Sequence, residues 1–546
     1  MRAIHPKSLL GHLLYGAAFA LASALAVTAQ AAVPGITGVT GGSLGPPTFN
    51  LVASEAYISQ PDGASIYSWG YGCASAPAGF APAAMAAGTC GAMQIPGPTL
   101  IVTEGQTVTV TLTNKLPARA GNTSIVFPGF KVCAGTLDTS VAPATCSAPT
   151  SGVAGLLGQE AVPNGTVTYT FQATTPGTHA YYSGTQGDLQ VEMGLYGALV
   201  VLPSAVPPAC TAKQGTGTGT GTLNDQAKVA NAETDFRLAA AAYDHPASCF
   251  DREFLFQFSE IDPKIHLAAE QVALCTGTCP SSMSGIVTEP YHPAYFMING
   301  RSMPDDMDGV YAVQYPHQPY NGNPHMHPGE LTLLRIIGQG RWQHPFHEHG
   351  NHVRLLARDG NLLLSQTDAA RLAGPLLFTT TTTPGQTMDG IFYWTGKGLN
   401  WDVYGHGYSG DQSVCVPDAN GYYTSNPAAP NYYEWCGDHA KALESKPFGQ
   451  VGSGGPMTLP DPNILVNGPW YAGSPYLGPD AMVRAIGATP IPPSGTVANS
   501  PTGEAGFAYM WHSHNEREIT TSNIFPGGML MMMLVDPRAF VIDESK

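Results

Sequence analysis

Two histidine clusters hold the side chains of this sequence best suited to chemistry. One is His344-Pro345-Phe346-His347-Glu348-His349-Gly350, the other Trp511-His512-Ser513-His514. A third pair, His325-Met326-His327, stands just before Pro328-Gly329-Glu330. On a β-strand, residues i and i+2 point to the same face. Each His-x-His therefore offers two imidazoles on one side, close enough to share one metal ion or two adjacent ions, while the middle residue points the other way. All-nitrogen sites suit copper or zinc. A lone His-x-His arises easily by chance, but here three pairs fall in one part of a chain poor in charge. Metal binding is the better reading of the 344–349 and 512–514 clusters. His325 and His327, at a strand start, suit a ligand or a structural role equally well.

Other residues carry weaker signals. Glu516 and Glu518 follow the last pair, and either could move a proton beside a metal-bound oxygen species; an ion pair with Arg517 or another base is the plainer reading. Met529-Leu530-Met531-Met532-Met533 could offer sulfur to Cu(I), but an alternating strand would split the methionines between faces, so core packing is expected. Ten cysteines fall in successive close pairs, from Cys73 and Cys90 to Cys415 and Cys436. Neighbour pairing into five disulfides is the simplest connectivity. The C-x3-C of Cys275 and Cys279 has no histidine beside it and joins that set.

Strands must position these residues. From Thr99 to Asn114, Val and Leu alternate with Thr on both sides of Glu104-Gly105, which predicts two half-buried strands around a turn. Val167 to Phe171 repeats the pattern, and Leu195 to Val201 closes a β-domain spanning 45–204. Residues 205–250 read as a linker, with Gly/Thr low complexity at Gly215 to Thr222 and an Ala-rich stretch, Ala227 to Ala242, suited to a short helix. A second β-domain spans 251–540, with strands at Phe254 to Phe258, Leu331 to Ile337, Leu376 to Thr383 and Gly390 to Trp394. Within it the strand signal fades over 396–506, which reads as a loop-rich insertion. Its Tyr and Trp residues suit either packing or an aromatic surface for a phenol or polysaccharide.

Composition agrees and excludes. Charged residues are 11% of 546, against about a quarter in ordinary globular proteins. With 64 Gly and 47 Pro, a helical bundle or coiled coil is ruled out and a turn-rich all-β protein favoured. A formal charge of −16 with no Lys/Arg cluster excludes nucleic acid as an expected partner. Arg2 and Lys7, the apolar run from Leu9 to about Val27, and Ala29-Gln30-Ala31 read as a cleaved secretory signal over 1–31. No later segment reads as a transmembrane helix. The expected location is periplasmic or extracellular.

Taken together, these residues resemble the multicopper oxidases, the cupredoxin-fold family that includes laccases. Pro96-Gly97-Pro98-Thr99, Glu104-Gly105 and Gly194-Leu195-Tyr196-Gly197-Ala198 resemble the family's first domain. Ile298-Asn299-Gly300-Arg301, Pro328-Gly329-Glu330, the 344–350 cluster, Pro384-Gly385-Gln386, Asp389, the 511–514 motif and Gly528-Met529 resemble its last. The resemblance implies two cupredoxin-like Greek-key domains, copper as the cofactor with zinc behind it, and a small-molecule or phenolic substrate. Two-domain relatives often assemble as trimers with metal at subunit interfaces.

The chain departs from the family at several ligand positions. Val126-Phe127-Pro128-Gly129 and Tyr182-Ser183-Gly184 stand where the first domain's two His-x-His pairs belong. Ser513 replaces the blue-copper cysteine, and Glu518 a further histidine. Serine cannot replace a thiolate in a blue copper site, and the electron path through that cysteine is missing. The resemblance leaves His347, His349, His512 and His514 as ligands of one copper or two, with His344 in the former blue site beside Ser513 and Glu518. The expected function is a copper-dependent oxidoreductase with a reduced His site. A non-catalytic copper-binding or scaffold protein is the alternative, and a full oxidase drawing ligands from His179, His325, His327 or a partner chain is the third.

Overall fold

Alternation sets the architecture of the first domain. In strands Thr107–Asn114 and Thr166–Gln172 every second residue is buried, and the two pair antiparallel over their whole length. Period two puts Val108, Val110, Leu112, Val167, Tyr169 and Phe171 on one face, and that face meets Trp69, Tyr181 and Leu199 in a single core. Thr48–Ser59 and Ser65–Cys73 complete a four-stranded sheet, facing a five-stranded sheet of Gly177–Tyr182, Tyr196–Leu202, Gly97–Thr103, Gly35–Thr37 and Gly79–Ala81. The structure is a computed structural model and describes residues 33–38, 46–82, 88–211, 236–279, 282–397, 416–426, 432–437, 473–477, 505–536 and 541–542. The 1–31 signal reading, the Gly215 to Thr222 linker and most of the 396–506 insertion lie outside them.

The turn at Glu104-Gly105 exists, but it carries the chain from one sheet to the other instead of closing a hairpin. Gly97–Thr103 is buried on both faces, where alternation predicts one. Its outer face is covered by the second domain: Ile101, Ala198 and Val200 share a cluster with Leu255 and Ile337.

The second domain is again two sheets. One orders Tyr295–Ile298, Arg252–Ile261, Leu331–Gly338, Thr387–Tyr393, Val353–Arg358 and Asn361–Leu362; the other orders His325–Met326, Leu530–Val535, Ala505–Ser513, His344–Glu348 and Thr379–Thr382. Aromatic and methionine side chains, among them Phe256, Phe346, Trp511, Met529, Met531 and Met533, fill the space between. The methionines are thus core residues, with Met529, Met531 and Met533 at 0% exposure. The insertion is not wholly without strands, since Gly473–Leu477 pairs antiparallel with Ala505–Ser513.

Composition gives no hint of the helix Pro263–Ala273, yet local signals do. Asp262 accepts from the Lys264 amide as N-cap, proline opens the first turn, and Ile265, Ala269, Val272 and Ala273 are buried on one face. Of the Ala-rich stretch, 236–242 carries no helix, and the rest lies outside the described residues.

Four neighbouring cysteine pairs are disulfides: Cys73–Cys90, Cys133–Cys146, Cys210–Cys249 and Cys275–Cys279. Cys436 is disulfide-bonded as well, and Cys415 lies outside the described residues. The domains are joined by buried polar contacts besides the apolar cluster. Asp389 accepts from the Thr178 amide and hydroxyl and from the Tyr243 hydroxyl, and Arg335, held by Glu253 of its own domain at 3.0 Å, donates to the Thr178 hydroxyl at 3.2 Å. All these side chains are buried, where an unpaired charge would be most costly.

Candidate metal centre

Strands His344–Glu348 and Ala505–Ser513 run antiparallel and adjacent, with His347 directly opposite His512. Directly opposed residues share a face, and His349 and His514 follow at i+2 on that face. The ring centroids of His347 lie 4.8 Å from His349, 5.6 Å from His512 and 4.8 Å from His514; His349 and His512 are 5.1 Å apart. Four imidazoles from two strands therefore converge. His347, His349 and His512 are buried, and His514 is exposed at the rim.

The opposite face explains why the strands hold this register. Phe346 and Trp511 pack edge to face in the core, and the Trp511 indole N–H donates to the His349 carbonyl at 2.9 Å, pinning the turn that carries His349. Gly350 follows at φ +101°, and a Cβ there would stand 3.0 Å from the Tyr509 ring. Gly350→Ala is therefore expected to lower stability by about 1–3 kcal/mol and to weaken metal binding, read by thermal melting and metal titration side by side.

Protonation favours ligation. Burial, reinforced by the neighbouring rings of His349, His512 and His514, holds His347 down at about 4. Burial likewise lowers His512. Ligating imidazoles must be neutral, and these two stay neutral where an ordinary histidine would begin to charge. The His347 Nδ1 lies 2.7 Å from the Thr379 hydroxyl and the His512 Nδ1 2.7 Å from the Ser513 carbonyl, orienting both rings. Such outer partners on the second nitrogen are characteristic of metal-binding histidines.

The spacing also suits a shared ion. The Nε2 atoms of His349 and His512 are 3.2 Å apart. Two nitrogens, each about 2.0–2.1 Å from one ion, stand about 2.9–3.4 Å apart as their angle opens from right to tetrahedral. At this distance the two rings also hydrogen-bond to each other. The set is convergent but open: among the described residues no three His, Cys, Asp or Glu side chains are already closed around a common point.

His344 goes elsewhere. Three residues from His347, it falls on the opposite face of the strand and is fully buried. Its Nδ1 lies 2.9 Å from Glu518 and its Nε2 2.9 Å from Glu260. Burial would lower its pKa, but hydrogen bonds to both carboxylates outweigh this and raise it to about 9. Ser513 donates to the same Glu518 oxygen that faces His344, and Asn515 donates to the other. Glu260 is completed by the amides of Arg341 and Trp342. His344 and Ser513 thus meet the same Glu518 oxygen, and the imidazole keeps its proton at neutral pH. Glu518 is half of an ion pair, and Arg517 instead reaches the Pro293 carbonyl. Sequence reasoning missed Glu260, whose signal is a buried acid near the end of the largely apolar strand Arg252–Ile261.

Three other described histidines are engaged apart from this cluster. His325 pairs with Asp536 at 2.6 Å, His327 meets the Asp536 carbonyl, and His179 meets the Thr175 carbonyl while packing on Phe130. In the first domain, Val126 and Tyr182 are hydrogen-bonded backbone to backbone, so the two stretches lacking histidines lie side by side.

Residues 83–206 match the family model described as multicopper oxidase. No curated protein matches the chain. Among solved structures, the multicopper oxidase mgLAC is 15% identical, covers 89% of this chain and 85% of its own, and gives a TM-score of 0.42. A blue copper oxidase from Nitrosomonas europaea is 15% identical over the same shares, with a TM-score of 0.41. A copper nitrite reductase from Nitrosomonas europaea is 17% identical, covers 63% of this chain and 83% of its own, and gives 0.36. On the match over residues 83–206, the chain is multicopper-oxidase-like there, and its mostly β, two-layered architecture is consistent with cupredoxin-like domains.

Proposed function

We propose that this chain is an exported copper protein whose oxidoreductase chemistry is confined to one histidine site, formed by His347, His349, His512 and His514. The observation that carries the reading is the cross-strand register of His347 and His512, which gathers four imidazoles, two of them held neutral by burial. Copper there would supply one-electron redox chemistry toward dioxygen or peroxide. The chain's own residues orient the rings through Thr379 and the Ser513 carbonyl, fix the His349 turn through Trp511, and leave His514 at the solvent rim. Export is supported by the 1–31 signal reading and by the disulfides, which persist in oxidising compartments. Among the described residues no helix is long and apolar enough to cross a membrane.

A non-catalytic copper binder is the second reading, favoured by the replacement of the thiolate site with an ion pair. Trimer formation through first-domain metal ligands loses its basis with those ligands. A phenolic substrate would approach from the insertion side, where Tyr422 and Tyr433 stack at 4.5 Å. The test is copper per chain after loading and removal of excess, with phenol oxidation measured alongside. One or two coppers without intense blue colour, with turnover lost in His349→Ala, supports the enzyme. Bound copper without turnover favours the binder, and no bound copper ends both readings.

A further inference from the structure

The first domain has a cavity of about 560 Å³ against the Val126 to Gly129 stretch. Phe127, Pro128, Phe130, Val132, Leu157 and Tyr169 line it. Its aromatic wall is continuous with the core: Phe127 packs on Phe171 at 4.7 Å and Phe130 on Phe171 at 5.2 Å. Apart from the Tyr169 phenol, no ionisable side chain lines it. From this cavity we infer that the first domain carries a binding site for an uncharged aromatic small molecule, distinct from the histidine centre.

Three features argue for a ligand over a gap between loops. The volume lies in the range of about 300–1,000 Å³ that small-molecule pockets occupy. The walls are fixed, because Cys133 is tied to Cys146 by a disulfide and to Thr170 by two backbone hydrogen bonds of 2.8 and 2.7 Å. A preformed site spends little of its binding energy on ordering itself.

Apart from one side chain, the polar lining is already satisfied as well. The Tyr169 hydroxyl donates to the Gln159 carbonyl and accepts from the Ile125 amide. Ser147 donates to the Ala148 carbonyl and accepts from the Thr136 amide, and Ser124 is bonded to Thr185. The Gln159 side-chain amide is the lining group with no hydrogen bond among the described residues. A charged ligand would lose its hydration with no opposite charge to meet it. A neutral ring system would stack on Phe127 and Phe130, and a phenol hydroxyl would find Gln159.

The test uses the mature chain and the neutral dye N-phenyl-1-naphthylamine, read by fluorescence, with naphthalene and 2-naphthol as competitors. Saturable one-to-one binding is expected. Leu157 lines the cavity and is 65% exposed, so Leu157→Asp preserves the fold and is expected to weaken binding at least tenfold. Leu156, 92% exposed and outside the lining, is the control, and Leu156→Asp is expected to change binding less than twofold. Gln159→Leu should weaken 2-naphthol while sparing naphthalene. The proposal is overturned by absence of saturable binding or by equal effects of the two leucine variants. It is overturned too if Leu157→Asp shifts the sedimentation of the protein instead of dye binding, since the patch would then be an interface between copies. None of these readouts involves copper, so they stand apart from the histidine site.

Discussion

Raising the pH from 6.5 to 9 is expected to remove on the order of 3 kcal/mol of stability through His344 alone. Its folded value is about 9, against an ordinary 6.5 for the unfolded chain. The folded state therefore holds the proton more tightly. Both states are protonated below pH 6.5 and the stabilisation is complete there. Between 6.5 and about 9 the unfolded chain gives up its proton first, and the advantage falls away. Removing the ring outright is more severe. His344→Leu leaves the Glu260 and Glu518 carboxylates buried without their shared cation, and breaking a buried pair this way costs roughly 3–5 kcal/mol. Urea unfolding at pH 6, 7.5 and 9 measures both effects. The variant should be less stable at pH 6 and lack the decline toward pH 9. Neutralising all three positions, Glu260→Gln with His344→Leu and Glu518→Gln, should recover most of the loss. A His344→Leu chain as stable as the parent would remove the ion cluster from the account.

His512→Ala is expected to reduce copper affinity by more than about a hundredfold, beyond the 10–100-fold that the loss of an outer partner alone produces. His512 sits opposite His347 and within 3.2 Å of His349, so its removal takes away the middle of the set. His344→Leu is the informative partner experiment, because that ring is tied up by two carboxylates on the other face of the strand. Copper titration of the refolded variants at pH 7 should show His512→Ala deficient and His344→Leu near the parent. If His344→Leu lost copper and His512→Ala kept it, the metal would belong to the other face.

The sequence and the structure agree where information is local. Alternation at Thr107–Asn114 and Thr166–Gln172 wrote the first domain's strands plainly, and i, i+2 spacing put the histidines of each pair on one face. That both pairs face the same point is a matter of register between strands 163 residues apart at His349 and His512, which no spacing reveals. The resemblance to a family supplied that pairing. Glu260 was invisible for the same reason: it meets His344 across 84 residues. The two-sided burial of Gly97–Thr103 depends on the neighbouring domain, and a strand's own residues do not announce who covers them. The helix at Pro263–Ala273 is legible, since Asp262-Pro263 opens it and buried residues recur at helical spacing, whereas alanine content alone pointed to Ala227 to Ala242.

The ion cluster around His344 also constrains how the chain can change. His344 and Ser513 both meet one oxygen of Glu518, and the other His344 nitrogen meets Glu260, so the side chains are matched to each other. Restoring a thiol at 513 alone would leave Glu518 short of a hydrogen-bond donor. Restoring histidine at 518 alone would remove one carboxylate from a buried imidazolium. Either single change passes through a chain less stable than the present one. The cluster is therefore locked against one-at-a-time substitution, and only a coordinated change at 260, 344, 513 and 518 would open this face of the strand to a different occupant.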